Sequence, residues 1–265
     1  MVQVKAADVQ ALRKATGAGM LDVKKALEEA DGDPERAAQI LRERGIVSAA
    51  KRSDRASSQG AVALSMIGER AGAMVELKCE TDFVAKSQEF VNTANEIAAA
   101  VAEGGPEAVD GFKAMLASLQ LSLKENISAG KVVKLEAGEG ELVSGYLHVQ
   151  ADRGVNGVLV HVAGVGSDLA HEIALHIAFS KPAYLAREDV PADVVETERQ
   201  TLETLTRNEG KPEAALPKIV EGRLGGFFRS VCLLEQPFVK DEKQRVGEVL
   251  GSGKIVSFAQ VVIGE

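Results

Sequence analysis

The chain has no tryptophan, only two tyrosines and two cysteines, and seven prolines in 265 residues. Cys79 and Cys232 stand far apart without CxxC companions, so neither a zinc site nor a disulfide framework is indicated, and a reducing compartment is expected. No apolar run approaches the roughly 20 residues that a helix needs to cross a bilayer. Met1 is followed by no basic-then-apolar leader, so the expected location is the cytoplasm, with no membrane partner. Positive charge is also in deficit: 31 basic residues face 39 acidic ones, for a net charge of −8. Such a surface repels phosphate backbones, which argues against a nucleic-acid partner. The strongest local exception is the run of Arg42, Arg44, Lys51, Arg52 and Arg55 around Glu43 and Asp54, which reads as a solvated helix end and linker.

What is present is an ordinary globular composition, 45% hydrophobic and 26% charged, in a chain long enough for one or two cores. The amino-terminal stretch reads as three short helices. Val9 and Leu12 give the first its apolar side, and the glycines of "TGAG" (16 to 19) stop it. Met20, Val23 and Leu27 stripe the second, Asp33 caps the third with Pro34 at its first position, and Ala37, Ile40 and Leu41 complete a small core. The polar stretch "KRSDRASSQG" (51 to 60) suits a linker.

From Gly60 the period becomes that of strands. Alternation through Val62, Leu64 and Met66, followed by "RAGAMVELKC" (70 to 79), predicts a hairpin. A helix follows from about Gln88 to Ala102, with Ser87 as its cap and Phe90, Ala94, Ile97 and Val101 on one face. Another helical stretch covers about 107 to 124, and strands return in "KVVKLEA" (131 to 137) and "ELVSGYLHV" (141 to 149). Two long helices joined at "NEGKP" (208 to 212) predict an antiparallel hairpin over about 189–234, striped by Val195, Leu202 and Leu205 and by Ile219, Leu224, Phe227 and Val231. Its second helix contains Pro217, Gly225 and Gly226, which intrinsic propensity penalises by about 3 kcal/mol for proline and about 1 kcal/mol for each glycine. "KIVSFAQVVIGE" alternates like a closing strand.

The chain partly repeats itself. "GAMVEL" (72 to 77) lies over "GVLVHV" (157 to 162), and "NEIAAAVA" (95 to 102) lies over "HEIALHIA" (171 to 178). The first copy holds nine more residues between strand and helix, and they fall around "TDFVAKSQE". A segment that the second copy does without is not demanded by packing, and insertions on a shared scaffold tend to carry function. Spacing argues the other way, since Phe83, Phe90 and Ile97 are seven apart and would share one buried face in an unbroken helix.

Signatures of catalysis fail on inspection. "GSGK" (251 to 254) lacks the glycine and hydroxyl of a phosphate loop, and "GVGSDL" (164 to 169) has Leu169 where a dinucleotide fingerprint needs glycine. In "HEIALH", His171 and His176 are five apart, which rotates the second about 140° from the first and away from a shared metal. A hydrolase built on His171, Glu172 and His176 is therefore disfavoured. No catalytic residue, cofactor, metal or small-molecule substrate is expected.

"LRKATGAGMLDVKKAL" (12 to 27), "ELKCETDFVAKSQEF" (76 to 90), "HIAFSKPAYL" (176 to 185), "NEGKPE", "IVEGRL" and "CLLEQPFVKD" (232 to 241) together closely resemble the bacterial elongation factor Ts family, nucleotide exchange factors of elongation factor Tu. The resemblance implies an α+β protein: an amino-terminal three-helix, ubiquitin-associated-like (UBA-like) domain with linker (1–55), then a core of two related strand/helix lobes (56–139 and 140–265), the second carrying the helical hairpin. It implies that Phe83, flanked by Thr81, Asp82 and Val84, is pushed between helices of the partner's nucleotide-binding domain near the magnesium end of its pocket. Arg13, Met20 and Leu21 match positions that grip the same partner domain, and His148 matches one that faces another. Lys5 stands where the family often has a threonine cap, and "GRLGGFF" has glycines where longer helix formers are common. A recruiting module that binds through the amino-terminal domain without exchange activity is the alternative.

Overall fold

The computed structural model describes residues 4–50 and 55–265; Lys51, Arg52 and Asp54 of the basic run, and the first part of the expected linker, lie outside them. The chain opens with α1 (Ala6–Thr16), α2 (Met20–Glu29) and α3 (Pro34–Ala50). Gly17 ends α1 in the left-handed region at φ 68, and its N–H closes on the Arg13 carbonyl. That conformation costs glycine little. Asp33 caps α3 through Oδ1, which accepts from the amides of Glu35 at 2.9 Å and Arg36 at 3.2 Å. Lys5 makes no side-chain cap to α1. Val9, Leu12, Val23, Ala26, Leu27, Ala30, Ala37 and Leu41 form the core of the three helices. Met20 is not part of it: at the first position of α2 it is 59% exposed, and the buried residues of that helix are Val23, Ala26 and Leu27.

Two three-stranded antiparallel sheets follow. The first orders β1 (Gln59–Ile67), β2 (Ala71–Cys79) and β3 (Ser128–Glu136) with β2 at its centre. Between β2 and β3 run α4 (Asp82–Ala85), α5 (Gln88–Gly104), a 3-10 stretch (Pro106–Phe112) and α6 (Lys113–Leu123). The second sheet orders β4 (Glu141–Gln150), β5 (Arg153–Ala163) and β8 (Lys254–Val262), with β5 central. Between β5 and β8 lie α7 (Ser167–Ser180), α8 (Ala192–Asn208), α9 (Leu216–Val231), the short pair β6 (Pro237–Phe238) and β7 (Asp241–Arg245), and α10 (Val246–Val249). The two segments aligned as strands are thus the central strands, and the two aligned as helices lie within α5 and α7. After β5 only residues 164–166 precede α7, whereas the longer connection after β2 contains α4.

Strand alternation sorts side chains into three interior layers. Ala73, Val75, Leu77 and Cys79 of β2 join Phe90, Ala94, Ile97 and Val101 of α5. Val158, Val160 and Val162 of β5 join Ile173, Ala174 and Ile177 of α7. Val62, Met74, Val143, Leu159 and Val261 form the layer between the sheets. Glycine lets the sheets approach: a Cβ on Gly154 would fall 2.1 Å from the Val62 carbonyl oxygen, and one on Gly72 2.5 Å from Leu159 Cδ2.

The α8/α9 pair runs antiparallel, with ion pairs Arg199–Glu221 at 3.5 Å and Arg207–Glu213 at 3.0 Å stepping oppositely along the two chains. Of the expected stripes, Val195, Leu202, Leu224, Phe227 and Val231 meet in one apolar cluster, and the departure is at Leu205. Leu205 is 49% exposed and Thr206 is fully buried, its hydroxyl donating to the Leu202 carbonyl at 2.6 Å. In α9 the fully buried residues are Leu216, Val220, Leu224 and Phe228; Phe227 and Val231 are half-buried and pack, with Val195 and Leu202, against the cluster of Leu224, Phe228 and Cys232, and Ile219 is half-buried. Pro217 falls in the first turn of α9, where its missing N–H has no helical partner to lose. Gly225 and Gly226 lie inside the helix. At the root, Arg187 pairs with Glu235 and stacks over Phe228 at 4.6 Å from the ring centroid.

Leu159 is completely enclosed between the sheets. Leu159→Ala is expected to cost about 2–5 kcal/mol of unfolding free energy, read as a lower urea midpoint at unchanged slope.

Candidate partner interface

The site grows from the end of the best-paired strand of the first sheet. β2 ends at Cys79, and the chain turns through Glu80 and Thr81 into α4, a helix of a single turn. Thr81 caps it: its Oγ1 accepts from the Val84 amide at 3.3 Å, and its carbonyl accepts from the Ala85 amide at 3.2 Å. The helix then stops, because Ser87 adopts an extended conformation (φ −67, ψ 139) and caps α5 instead, accepting from the Phe90 amide at 3.4 Å. The same hydroxyl donates back to the Val84 carbonyl at 2.8 Å, so one serine closes one helix and opens the next.

This interruption decides where Phe83 points. Phe90 and Ile97 are fully buried, as their spacing on α5 predicts, but Phe83 is 84% exposed. Sequence spacing of seven places residues on one face only within one unbroken helix, and here Phe83 lies in α4 while Phe90 and Ile97 lie in α5. Ala85 is sealed into the core, Val84 packs half-buried against it, and Phe83 is left on the opposite side of the turn. Asp82 pairs with Lys86 at 2.6 Å, and the hydrogen bond from that ammonium holds the carboxyl below its ordinary range.

A residue that the sequence did not single out fastens the turn. Glu125, between α6 and β3, accepts at Oε2 from the amides of Glu80 at 2.9 Å and Thr81 at 3.0 Å, and its Oε1 accepts from the Thr81 hydroxyl. In return Glu80 Oε1 accepts from the Asn126 amide at 2.7 Å. Below the turn, the Cys79 thiol donates to the Thr81 carbonyl at 3.2 Å, and burial pushes its pKa up to about 12. Burial likewise raises Cys232 to about 11.

Arg13, on α1, is exposed, and Met20 and Leu21 at the start of α2 are 59% and 74% exposed. The reading of Met20 as core therefore fails. The α1–α2 turn lies against α6: Asp22 pairs with Lys124 at 3.2 Å, and a Cβ on Gly17 would sit 3.1 Å from that of Ser122. His148 is exposed on β4, far along the chain from α4, with Nδ1 at 3.3 Å from the Tyr146 hydroxyl. Phe179 was missed; it is 79% exposed near the end of α7, and its helical phase, two residues past buried Ile177, was the available signal. In the same helix His176 is buried, with Nε2 at 3.0 Å from Gln236 Oε1 and Nδ1 accepting from the Val239 amide at 3.3 Å. Desolvation lowers its pKa, and both nitrogens serve packing. His171 is exposed beside the Tyr146 ring. Among the described residues no group of three or more His, Cys, Asp or Glu could hold a metal, and no helix is long and apolar enough to cross a membrane.

A family profile described as "Elongation factor TS" matches residues 80–265, beginning at the turn that carries Phe83. The chain belongs to the elongation factor Ts family. Similar proteins named elongation factor Ts include those of Renibacterium salmoninarum (46% identical over 278 residues), Micrococcus luteus (43% over 281) and Streptomyces coelicolor (44% over 288), each aligned over the full length of both chains. Membership places the protein among translation elongation factors.

Because Phe83 contributes little to the core, Phe83→Ala is expected to leave stability within about 0.5 kcal/mol by denaturant titration. The Asp82–Lys86 pair gives a pH signature. A carboxyl with a depressed folded-state pKa favours the folded state above its unfolded pKa, and that contribution fades as pH falls through the folded value. Carbon-detected NMR titration should find Asp82 titrating below an ordinary aspartate, and Lys86→Gln should move its midpoint upward.

Proposed function

We propose that this protein is a guanine nucleotide exchange factor for elongation factor Tu, acting by binding and without catalytic residues of its own. The observation that carries the reading is the exposed Phe83 ring on a turn fastened by Thr81, Ser87 and Glu125. A large apolar side chain held in water by a rigid local structure favours a role in a partner's pocket over one in its own interior. In this reading the three amino-terminal helices are a UBA-like domain (1–55), and two related lobes (56–139 and 140–265) form the core. Arg13, Met20 and Leu21 grip the nucleotide-binding domain that Phe83 enters, with Thr81, Asp82 and Val84 around the ring. His148 meets a second partner domain, and the activity belongs in the cytoplasm.

Exchange is a coupling between two binding events. The factor loosens GDP only by binding the nucleotide-free partner more tightly than the occupied one, and GDP weakens the factor by the same ratio. Each tenfold of loosening needs about 1.4 kcal/mol. Burying one phenylalanine contributes about 1.5–3 kcal/mol. Phe83 can therefore supply about one to two decades, provided its pocket opens only when the magnesium and phosphate end of the nucleotide site is disturbed. The other contacts supply the rest.

Stopped-flow release of fluorescent GDP from elongation factor Tu should be accelerated by the intact chain, and Phe83→Ala should slow that release at least tenfold without unfolding the protein. Release at the wild-type rate would refute the mechanism, and binding without any acceleration would favour the recruiting-module reading.

A further inference from the structure

The turn after α6 is built with more polar reinforcement than a connection requires. Lys124, a bulky residue, is held in the left-handed region at φ 59, a conformation that persists in non-glycine residues only when the surroundings enforce it. The enforcement comes from both sides. Lys124 pairs with Asp22 of α2, and Asn126 donates through Nδ2 to the Arg55 carbonyl at 2.9 Å while its own carbonyl accepts from the Ser57 hydroxyl at 3.0 Å. Between them the Glu125 carboxylate is aimed at the start of α4.

Glu125 does more there than occupy space. The Thr81 hydroxyl has a single proton. Because that proton goes to Glu125 Oε1, the oxygen lone pair is turned toward the Val84 amide, which is the bond that caps α4. Oε2 meanwhile takes both preceding amides, Glu80 and Thr81, and so fixes the path by which β2 enters the turn. A charged acceptor makes these bonds stronger than neutral ones. Without it, two amides and one hydroxyl lose their common acceptor, and nothing outside α4 among the described residues then fixes the rotamer of the Thr81 hydroxyl that caps it.

We propose that Glu125 is the positioning residue of the exchange surface: it does not touch the partner, but sets the α4 turn so that Phe83 is presented in one orientation. The inference rests on the exchange reading for its functional half only.

The test has two arms. In the first, hydrogen exchange of the free protein is compared between wild type and Glu125→Ala. The amides of Glu80, Thr81 and Val84 should exchange at least about tenfold faster, with the β1–β2 ladder unchanged. Unaltered exchange at those three amides would overturn the proposal whatever the protein binds. The second arm measures GDP release from elongation factor Tu for Glu125→Ala, Phe83→Ala and the double variant. A residue acting through Phe83 should slow release several-fold alone, but by less than about twofold when Phe83 is already alanine. Equal slowing in both backgrounds would show that Glu125 acts by another route. Glu125→Gln, which keeps the shape but has one acceptor oxygen in place of two, should lie between wild type and alanine in both arms; a value matching alanine for exchange but wild type for release would separate turn order from function and overturn the claim. If Phe83→Ala itself has no effect on release, the exchange-factor reading fails while the first arm still decides what Glu125 does to the turn.

Discussion

Two helices placed end to end, with only Lys86 and Ser87 between them, set the character of this surface. Had α4 continued into α5, Phe83 would lie along the row of Phe90 and Ile97 and be lost to the interior. The extended backbone at Ser87 breaks that row, and its hydroxyl satisfies polar groups on both sides of the break. Ala85 then faces inward, and the ring two residues earlier faces out. The exposure of one aromatic group thus follows from backbone hydrogen bonding at a neighbouring position, with no special property of the ring itself.

The scaffold behind the turn is stiff for separate reasons. Both central strands are covered on two faces, by a helix on one side and by the opposing sheet on the other, and glycines at Gly72 and Gly154 draw the sheets into contact. Close-packed layers of this kind transmit displacement with little loss. A turn rooted at the end of β2 therefore inherits the rigidity of the most protected strand of its sheet, while the surface it presents remains open. The helices at the amino terminus add a second apolar surface through Met20 and Leu21, beside a small core that includes neither.

Much of this was legible in the sequence because it depends on local period and local punctuation. The strand and helix pairs, the cap at Asp33 and the glycine stop of α1 follow from residues within a few positions of one another, and the internal repeat from laying two such local patterns over each other. Failures occurred where a distinction of one helical position mattered. In the α8/α9 pair, hydrophobicity pointed to Leu205, whereas the seam buries Thr206, which can hide its hydroxyl on the preceding turn. Met20 was read as core because it is apolar and correctly spaced, but at the first position of α2 it is left exposed at the end of the three-helix core. At Phe83 the spacing argument and the insertion argument conflicted, and only the second allowed for a helix break. Glu125 was illegible, since it lies far from Thr81 in sequence and only the fold brings the two together.

The sulfur beneath the turn has a further consequence. Cys79 and Cys232 are both enclosed, and burial keeps each in its protonated thiol form far above neutral pH. Peroxide and alkylating agents attack the thiolate, so neither residue offers them a foothold in the folded molecule. A cysteine introduced on the exposed surface would consequently be the single reactive sulfhydryl, and spectroscopic labels could be attached there without first removing the native pair.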